Sequence, residues 1–333
     1  MDVIQASSVM LTDPAHVRLA HDARYEQGSA FVNGAYCGLH EATIPLMDYG
    51  FRHADAAYDV VSASKGYMFR LQDHLDRFDR SCDLFRLSNP YGQRDTARIL
   101  DTLVKLAGTR EAYIFWCVTR GLSKPGGHHN DPAGYENRFY AYVVPYRFIA
   151  DDAKRTCGLD LMVSRKYIRI PQKSVDPRAK NFHWLDLQLS LFEAHDSGTD
   201  FSVLCDSDSF LAEAPGSNIF LIKDGVLFTP DSGCLEGITR QTAIDLAAEI
   251  GMPVRVERVR VEQLLNADEA FLSSTAGGIM PINRVDGRVL GGVDGPGRLT
   301  TQLHNLYWEK RWTGWRGTAV DYSQPADLTA GLN

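Results

Sequence analysis

Residues 174–198 constrain the chain more than any other stretch, because a forced turn runs there straight into an apolar helix pattern. Pro177 fixes its own φ and pushes Asp176 out of the helical region, which makes a turn. From Phe182 the apolar positions Trp184, Leu187, Leu191 and Ala194 recur at three and four residues, and Gly198 supplies a left-handed stop. Lys180 therefore stands between the turn and the mouth of a buried helix. Burial would make such a lysine a nucleophile toward a carbonyl, because only the neutral amine attacks; left in solvent it is one more lysine beside a turn.

At 333 residues, with 44% apolar and 23% charged residues, the chain is expected to form about two globular domains. A net charge of −7 without a basic block argues against nucleic acid or an anionic membrane and for a small-molecule partner. The six cysteines stand apart, the closest two being Cys205 and Cys234, with no metal-ligand spacing, so no metal is expected. Without an N-terminal leader pattern or a long apolar run, the expected compartment is the cytoplasm.

Along the chain, the first 25 residues are weakly patterned and read as surface coil. Ala30 to Val32 with Asn33-Gly34 predict a strand entering a hairpin, and Tyr58 to Ala63 and Tyr67 to Leu71 two strands about Ser64-Lys65-Gly66. Helices are expected over Asp73 to Leu87 and Arg94 to Ala107, then strands over Glu111 to Thr119 and Arg138 to Val144, joined by a polar loop from Gly121 to Asn137. The expected division is a small N-terminal α/β domain over 1–148, a linker over 149–156 and a larger C-terminal domain over 157–333. In the second half, strands are predicted near Leu159, Phe201, Ile219, Val254 and Ala270, with helices over Thr239 to Ile250 and Arg298 to Arg311. Mixed strands and helices in both halves give an α/β class of the α+β mixed kind.

Four short stretches make chemical sense together. Gly237-Ile238-Thr239 opens a helix with Thr239 at or next to the N-cap, and free N–H groups there suit a phosphate. Glu213 leads into a tight Pro-Gly turn and reads either as a solvated turn residue or as a rigid carboxylate for a protonated pyridine nitrogen. Arg77 reads either as the surface partner of Asp73 or as a fork for a phosphate dianion. Thr275-Ala276-Gly277-Gly278 is a turn whose hydroxyl and backbone could meet phosphate or carboxylate. An aldehyde-capturing lysine, a carboxylate for a pyridinium and donors for a phosphate are the needs of pyridoxal 5'-phosphate.

With Leu-Glu-Gly-Ile-Thr-Arg at 235–240, Glu213 with Asn218, and the run from His74 to Arg77, the sequence resembles the fold type IV, branched-chain-aminotransferase-like pyridoxal-phosphate enzymes from about Ala30 to Tyr307. The resemblance implies a two-domain homodimer. It makes Lys180 the Schiff-base lysine, Glu213 the partner of the pyridine nitrogen, and Arg77, Ile238, Thr239 and Thr275 the phosphate site. It also implies that the stretch from His53 to Ser62 selects substrate, through His53, Tyr58, Val60 and Ser62, with Trp184, Leu235, Thr275 and Ala276 as further pocket residues.

Branched-chain enzymes of the family tend to carry Phe-Glu-Gly-Ile-Arg in that stretch. Here it reads Tyr-Asp-Val-Val-Ser, which is similar to (R)-selective amine transaminases and implies a pocket for an apolar group. Trp184 fits the same pattern, although a tryptophan so placed also suits a core. Related amine transaminases place an acceptor-binding arginine in the loop where this chain has Gly126, and Lys124 is the nearest replacement cation. The expected activity is transfer of an amino group from an (R)-configured primary amine to a keto acid such as pyruvate. The alternatives are a D-amino-acid or branched-chain transaminase, an aminodeoxychorismate lyase, or a cofactor carrier without turnover.

Overall fold

The computed structural model describes residues 2–12, 22–128, 130–292 and 294–331. The chain divides into two compact units. The N-terminal unit holds Met10–Arg147, Ala179–Phe182 and Arg311–Asn333; the C-terminal unit holds Met1–Val9, Phe148–Arg178 and His183–Lys310.

The chain opens with α1 (Ala6–Thr12), where coil was expected; Ala6 and Met10 are buried. Hairpin β1 (Ser29–Val32) to β2 (Ala35–Gly38) turns at Asn33 and Gly34 with φ of 53° and 75°, the doubly left-handed turn that matches strand twist. A short α2 (Tyr49–His53) precedes β3 (Ala56–Ser64), β4 (Tyr67–Phe69), α3 (Leu71–Phe85) and α4 (Gly92–Ala107). Then come the long strands β5 (Ala112–Ser123) and β6 (Tyr135–Pro145). Both outrun expectation, because polar residues on an exposed strand tip carry no apolar alternation. The predicted loop from Gly121 shrinks to 124–134, and a register shift between Thr119 and Leu122 bulges β5 at Gly121.

These strands form an antiparallel sheet ordered β15-β4-β3-β5-β6-β1-β2, where β15 (Gly317–Ala319) returns from the C-terminus. Side chains alternate across it. On one face Ala57, Val61, Ile114, Trp116, Val118, Phe139 and Val143 pack with Leu75, Phe78 and Cys82 of α3 and Ile99, Leu103 and Val104 of α4. The register puts the other set in rows on the opposite face: Tyr58–Cys117–Tyr140, Val60–Phe115–Tyr142 and Ser62–Tyr113–Val144.

The C-terminal unit begins with α5 (Asp152–Cys157), capped by Asp151, in what was expected to be linker. There follow β7 (Leu159–Val163), α6 (Leu185–Asp196), β8 (Phe201–Val203), β9 (Asn218–Lys223), β10 (Val226–Thr229) and α7 (Ile238–Glu249). Next are β11 (Val254–Val256), α8 (Val261–Leu265), β12 (Glu269–Ser274), β13 (Gly278–Val285), β14 (Arg288–Val289) and α9 (Arg298–Trp312). The sheet runs β11-β10-β9-β12-β13-β7-β8, with β10–β11, β13–β7 and β7–β8 parallel and the other pairs antiparallel. Leu161, Val163, Ile219, Leu221, Leu272 and Ile282 form its core. Each unit thus combines a β-sheet with packed helices, the mixed α/β class expected. Among the described residues no helix is long and apolar enough to cross a membrane.

Candidate active site

Lys180 lies in the four residues, Ala179–Phe182, that belong to the N-terminal unit although the chain on either side belongs to the other. The helix expected from Phe182 starts only at Leu185, because the segment before it is spent on a strand edge. β4 pairs with β3 at Ala63 and Ser64, and further along the same strand the Tyr58 N–H donates to the Lys180 carbonyl at 2.9 Å, with Asn181 bridged to Ala57. The Lys180 N–H donates to Ser81 Oγ at 3.0 Å, and that hydroxyl donates to the Arg77 carbonyl at 2.9 Å. So fixed at the backbone, Lys180 extends its Nζ over the Tyr58 ring, 4.5 Å from the centroid.

Arg77 is no surface residue. Asp73 pairs with Arg70 instead, and Arg77, only 3% exposed, donates from Nε and Nη2 to the two oxygens of Asp59 at 2.9 and 2.7 Å. His74 Nδ1 lies 2.8 Å from the same carboxylate. Burial alone would raise the Asp59 carboxyl, but the Arg77 guanidinium and His74 overturn this and hold it well below the usual range. Burial pushes the His74 imidazole down, against the pull of Asp59. Asp59 and Ser81 were not singled out from sequence; a carboxylate in an otherwise apolar strand was the available sign of the first.

Of the expected substrate residues, His53 ends α2, exposed, with its ring 4.2 Å from Tyr49. Buried Asp48 holds that helix, accepting from the Gly50 N–H, Thr119 Oγ1 and Tyr140 Oη. Tyr58, Val60 and Ser62 share the sheet face away from α3, where Tyr58 stacks on Phe115 at 5.3 Å and Phe115 on Tyr142 at 4.9 Å. Phe182 closes on Tyr58 at 5.4 Å. Ser62 Oγ accepts from Nη2 of buried Arg311 at 2.7 Å, a contact 249 positions apart that no local pattern announces. Lys124 is exposed and donates to the Ala133 carbonyl at 3.0 Å within its own loop. Gly126 takes φ 76°, so an arginine there would be strained in this loop conformation.

In the C-terminal unit, Glu213 sits between isolated bridges, Cys205 to Leu211 and Ala214 to Ser217, where a strand end was expected. It is 6% exposed, accepting from Arg169 Nε at 2.8 Å on Oε1 and from the Leu235 N–H at 3.1 Å on Oε2. This rigid carboxylate replaces the solvated alternative. Asn218 Nδ2 donates to the Leu235 carbonyl at 2.8 Å, and a Cβ on Gly237 would lie 2.1 Å from Asn218 Oδ1, so only glycine fits there. Gly237 is the N-cap of α7, with no side-chain cap, which makes Ile238 the first and Thr239 the second helical residue, one turn position later than expected. Both are buried. Thr275 and Ala276 lie in the turn between β12 and β13, where the Ala276 carbonyl accepts from the Ile149 N–H at 2.8 Å. Trp184 packs against Gly216 as the N-cap of α6.

The family model for amino-transferase class IV matches residues 56–285. The chain is 31% identical over 258 residues to a branched-chain-amino-acid aminotransferase of Pseudomonas aeruginosa, covering 76% of this chain and 81% of that one. It is 30% identical over 290 residues to a D-alanine aminotransferase of Listeria innocua, covering 84% and 94%. A solved branched-chain amino acid aminotransferase from Thermobaculum terrenum, in its PLP-form, superposes with a TM-score of 0.79 at 27% identity, over 89% of this chain and 99% of that one. A lysine fixed on a strand edge, a braced buried carboxylate and an uncapped helix start thus sit within the matched span, and the chain belongs to the class IV aminotransferases, pyridoxal-phosphate-dependent enzymes.

Proposed function

We propose that this class IV aminotransferase moves an amino group from an (R)-configured primary amine to a small keto acid. The cofactor supplies an electron sink for the substrate's α-carbon. The residues fit it: α7 starts without a side-chain cap, so the amides of Ile238 and Thr239 and the Thr239 hydroxyl suit a phosphate, with Thr275 of the same unit as a further donor. Glu213, braced by Arg169, would pair with the pyridine nitrogen. Lys180 would hold the cofactor and, once released, would be the group that moves the proton at the substrate carbon. The same reading makes the enzyme a cytoplasmic homodimer acting on small molecules; the charge of −7 supports the absence of nucleic-acid and membrane partners.

The single observation that carries the amine preference is the face beside Lys180. Tyr58, Val60, Phe115, Tyr142 and Phe182 make an aromatic and aliphatic floor under the lysine amine, suited to an apolar substituent. In this reading His53, Trp184, Leu235 and Ala276 are further substrate residues, and Lys124 serves the acceptor carboxylate. A second reading, transamination of a D- or branched-chain amino acid, is favoured by the Arg311 guanidinium at Ser62, which puts a cation beside the position where branched-chain relatives carry arginine. Mixing holoenzyme with each enantiomer of 1-phenylethylamine, D-alanine and L-leucine, and following the cofactor absorbance, separates the two. The (R)-amine should bleach the band; bleaching by the amino acids with none by either amine would establish the second reading instead.

A further inference from the structure

We propose that Arg169 is a positioning residue for Glu213, holding that carboxylate in place as the charge partner of the cofactor's protonated ring nitrogen. The inference rests on the pairing of Glu213 with that nitrogen given above. Arg169 is 5% exposed and divides its fork between two carboxylates, Nε to Glu213 Oε1 at 2.8 Å and Nη1 to Asp186 Oδ2 at 2.7 Å. Asp186 is itself fixed: its Oδ2 accepts from the Ile170 N–H at 2.6 Å, and it lies in the first turn of α6, where a carboxylate is favoured. The Arg169 N–H donates to the Cys205 carbonyl at 2.8 Å, anchoring the base of the side chain. A chain of contacts therefore runs from half-buried Asp186 at the α6 N-terminus through one buried guanidinium to Glu213.

The charge count explains why the arginine matters. Buried Glu213 and half-buried Asp186 share one cation, so the cluster is anionic overall and suits a protonated pyridine nitrogen. Without Arg169, Asp186 and Glu213 are two like charges with no cation between them, and nothing fixes the Glu213 side chain on that side. A loosened Glu213 would no longer hold its charge against the ring nitrogen, and a bound cofactor would keep the proton there less well. Arginine suits the task because its fork meets two carboxylates at once, which a lysine point charge cannot reproduce.

The test compares Arg169→Met, Arg169→Lys, Glu213→Gln and the double variant Arg169→Met/Glu213→Gln as holoenzymes, reading cofactor absorbance against pH and cofactor Kd. Arg169→Met should move the pH profile of the absorbance band toward the Glu213→Gln profile and weaken cofactor binding by about tenfold. Arg169→Lys should fall between it and wild type, and serves if the Met variant does not fold. In the Glu213→Gln background, Arg169→Met should add no further spectral change. An Arg169→Met or Arg169→Lys enzyme with a lowered melting temperature but a wild-type pH profile would leave Arg169 purely structural and overturn the proposal. If Glu213→Gln itself leaves the profile unchanged, the pairing of Glu213 with the ring nitrogen fails first, which is a separate outcome.

Discussion

Replacing Asp59 with asparagine isolates the buried charge pair between β3 and α3. Asp59 is fully buried and Arg77 is 3% exposed, and their two hydrogen bonds, 2.9 and 2.7 Å, are parallel. Asp59→Asn keeps the shape but strips the charge, so the guanidinium is left in a dry site with its counter-charge gone. Breaking one side of a buried pair costs about 3–5 kcal/mol, out of roughly 5–15 kcal/mol of total stability. For a unit of this size that is roughly 6–20 °C in Tm. The control is Asp73→Asn, whose partner is Arg70 and whose side chain is 41% exposed; solvent screening should keep its effect below about 1 kcal/mol. Removing both charges, Asp59→Asn with Arg77→Met, should cost less than Asp59→Asn alone, because no unpaired cation remains. The assay is calorimetry on cofactor-free protein, where two compact units can melt separately and the transition of the N-terminal unit is the one to follow. An Asp59→Asn protein that melts like Asp73→Asn, or a double variant worse than the sum of its singles, would refute the buried-pair account.

Two further outcomes can be checked. Lys180→Ala should lose the borohydride-reducible link to cofactor while keeping the fold; a cofactor-modified peptide that does not contain residue 180 would show another lysine to be the attachment point. His74 is buried and its pKa lies below the ordinary 6.5, so above that pH both folded and unfolded rings are neutral. As pH falls below it, the unfolded chain takes up a proton that the buried ring refuses, and stability drops by up to about 1.4 kcal/mol per pH unit until the folded pKa is reached. Comparing wild type with His74→Gln by denaturant unfolding between about pH 5 and 7 should show a steeper acid loss in wild type, and equal slopes would exclude the histidine as its source.

Local pattern alone determined much of this protein. Strand and hairpin positions around Asn33-Gly34, Lys65-Gly66 and Asp224-Gly225 follow from which residues tolerate positive φ, and α3, α4, α7 and α9 follow from apolar spacing. Lys180, Glu213, Arg77 and the 235–240 run could be picked out of the sequence as candidates by their chemistry, each against a bland alternative reading. What local pattern could not carry is the identity of partners. Asp59 meets Arg77 across 18 positions, Arg169 meets Glu213 across 44, and Arg311 reaches Ser62 across 249, so each pairing exists only once the sheets have formed. The same holds for α1, for the return of β15 onto β4, and for the late start of α6, where backbone bonds from residues 180 and 181 to the β3 edge outweighed helical propensity. Propensity acts over a few residues, whereas a buried charge must find its counter-charge wherever the fold delivers one, and only the tertiary structure decides which residue that is.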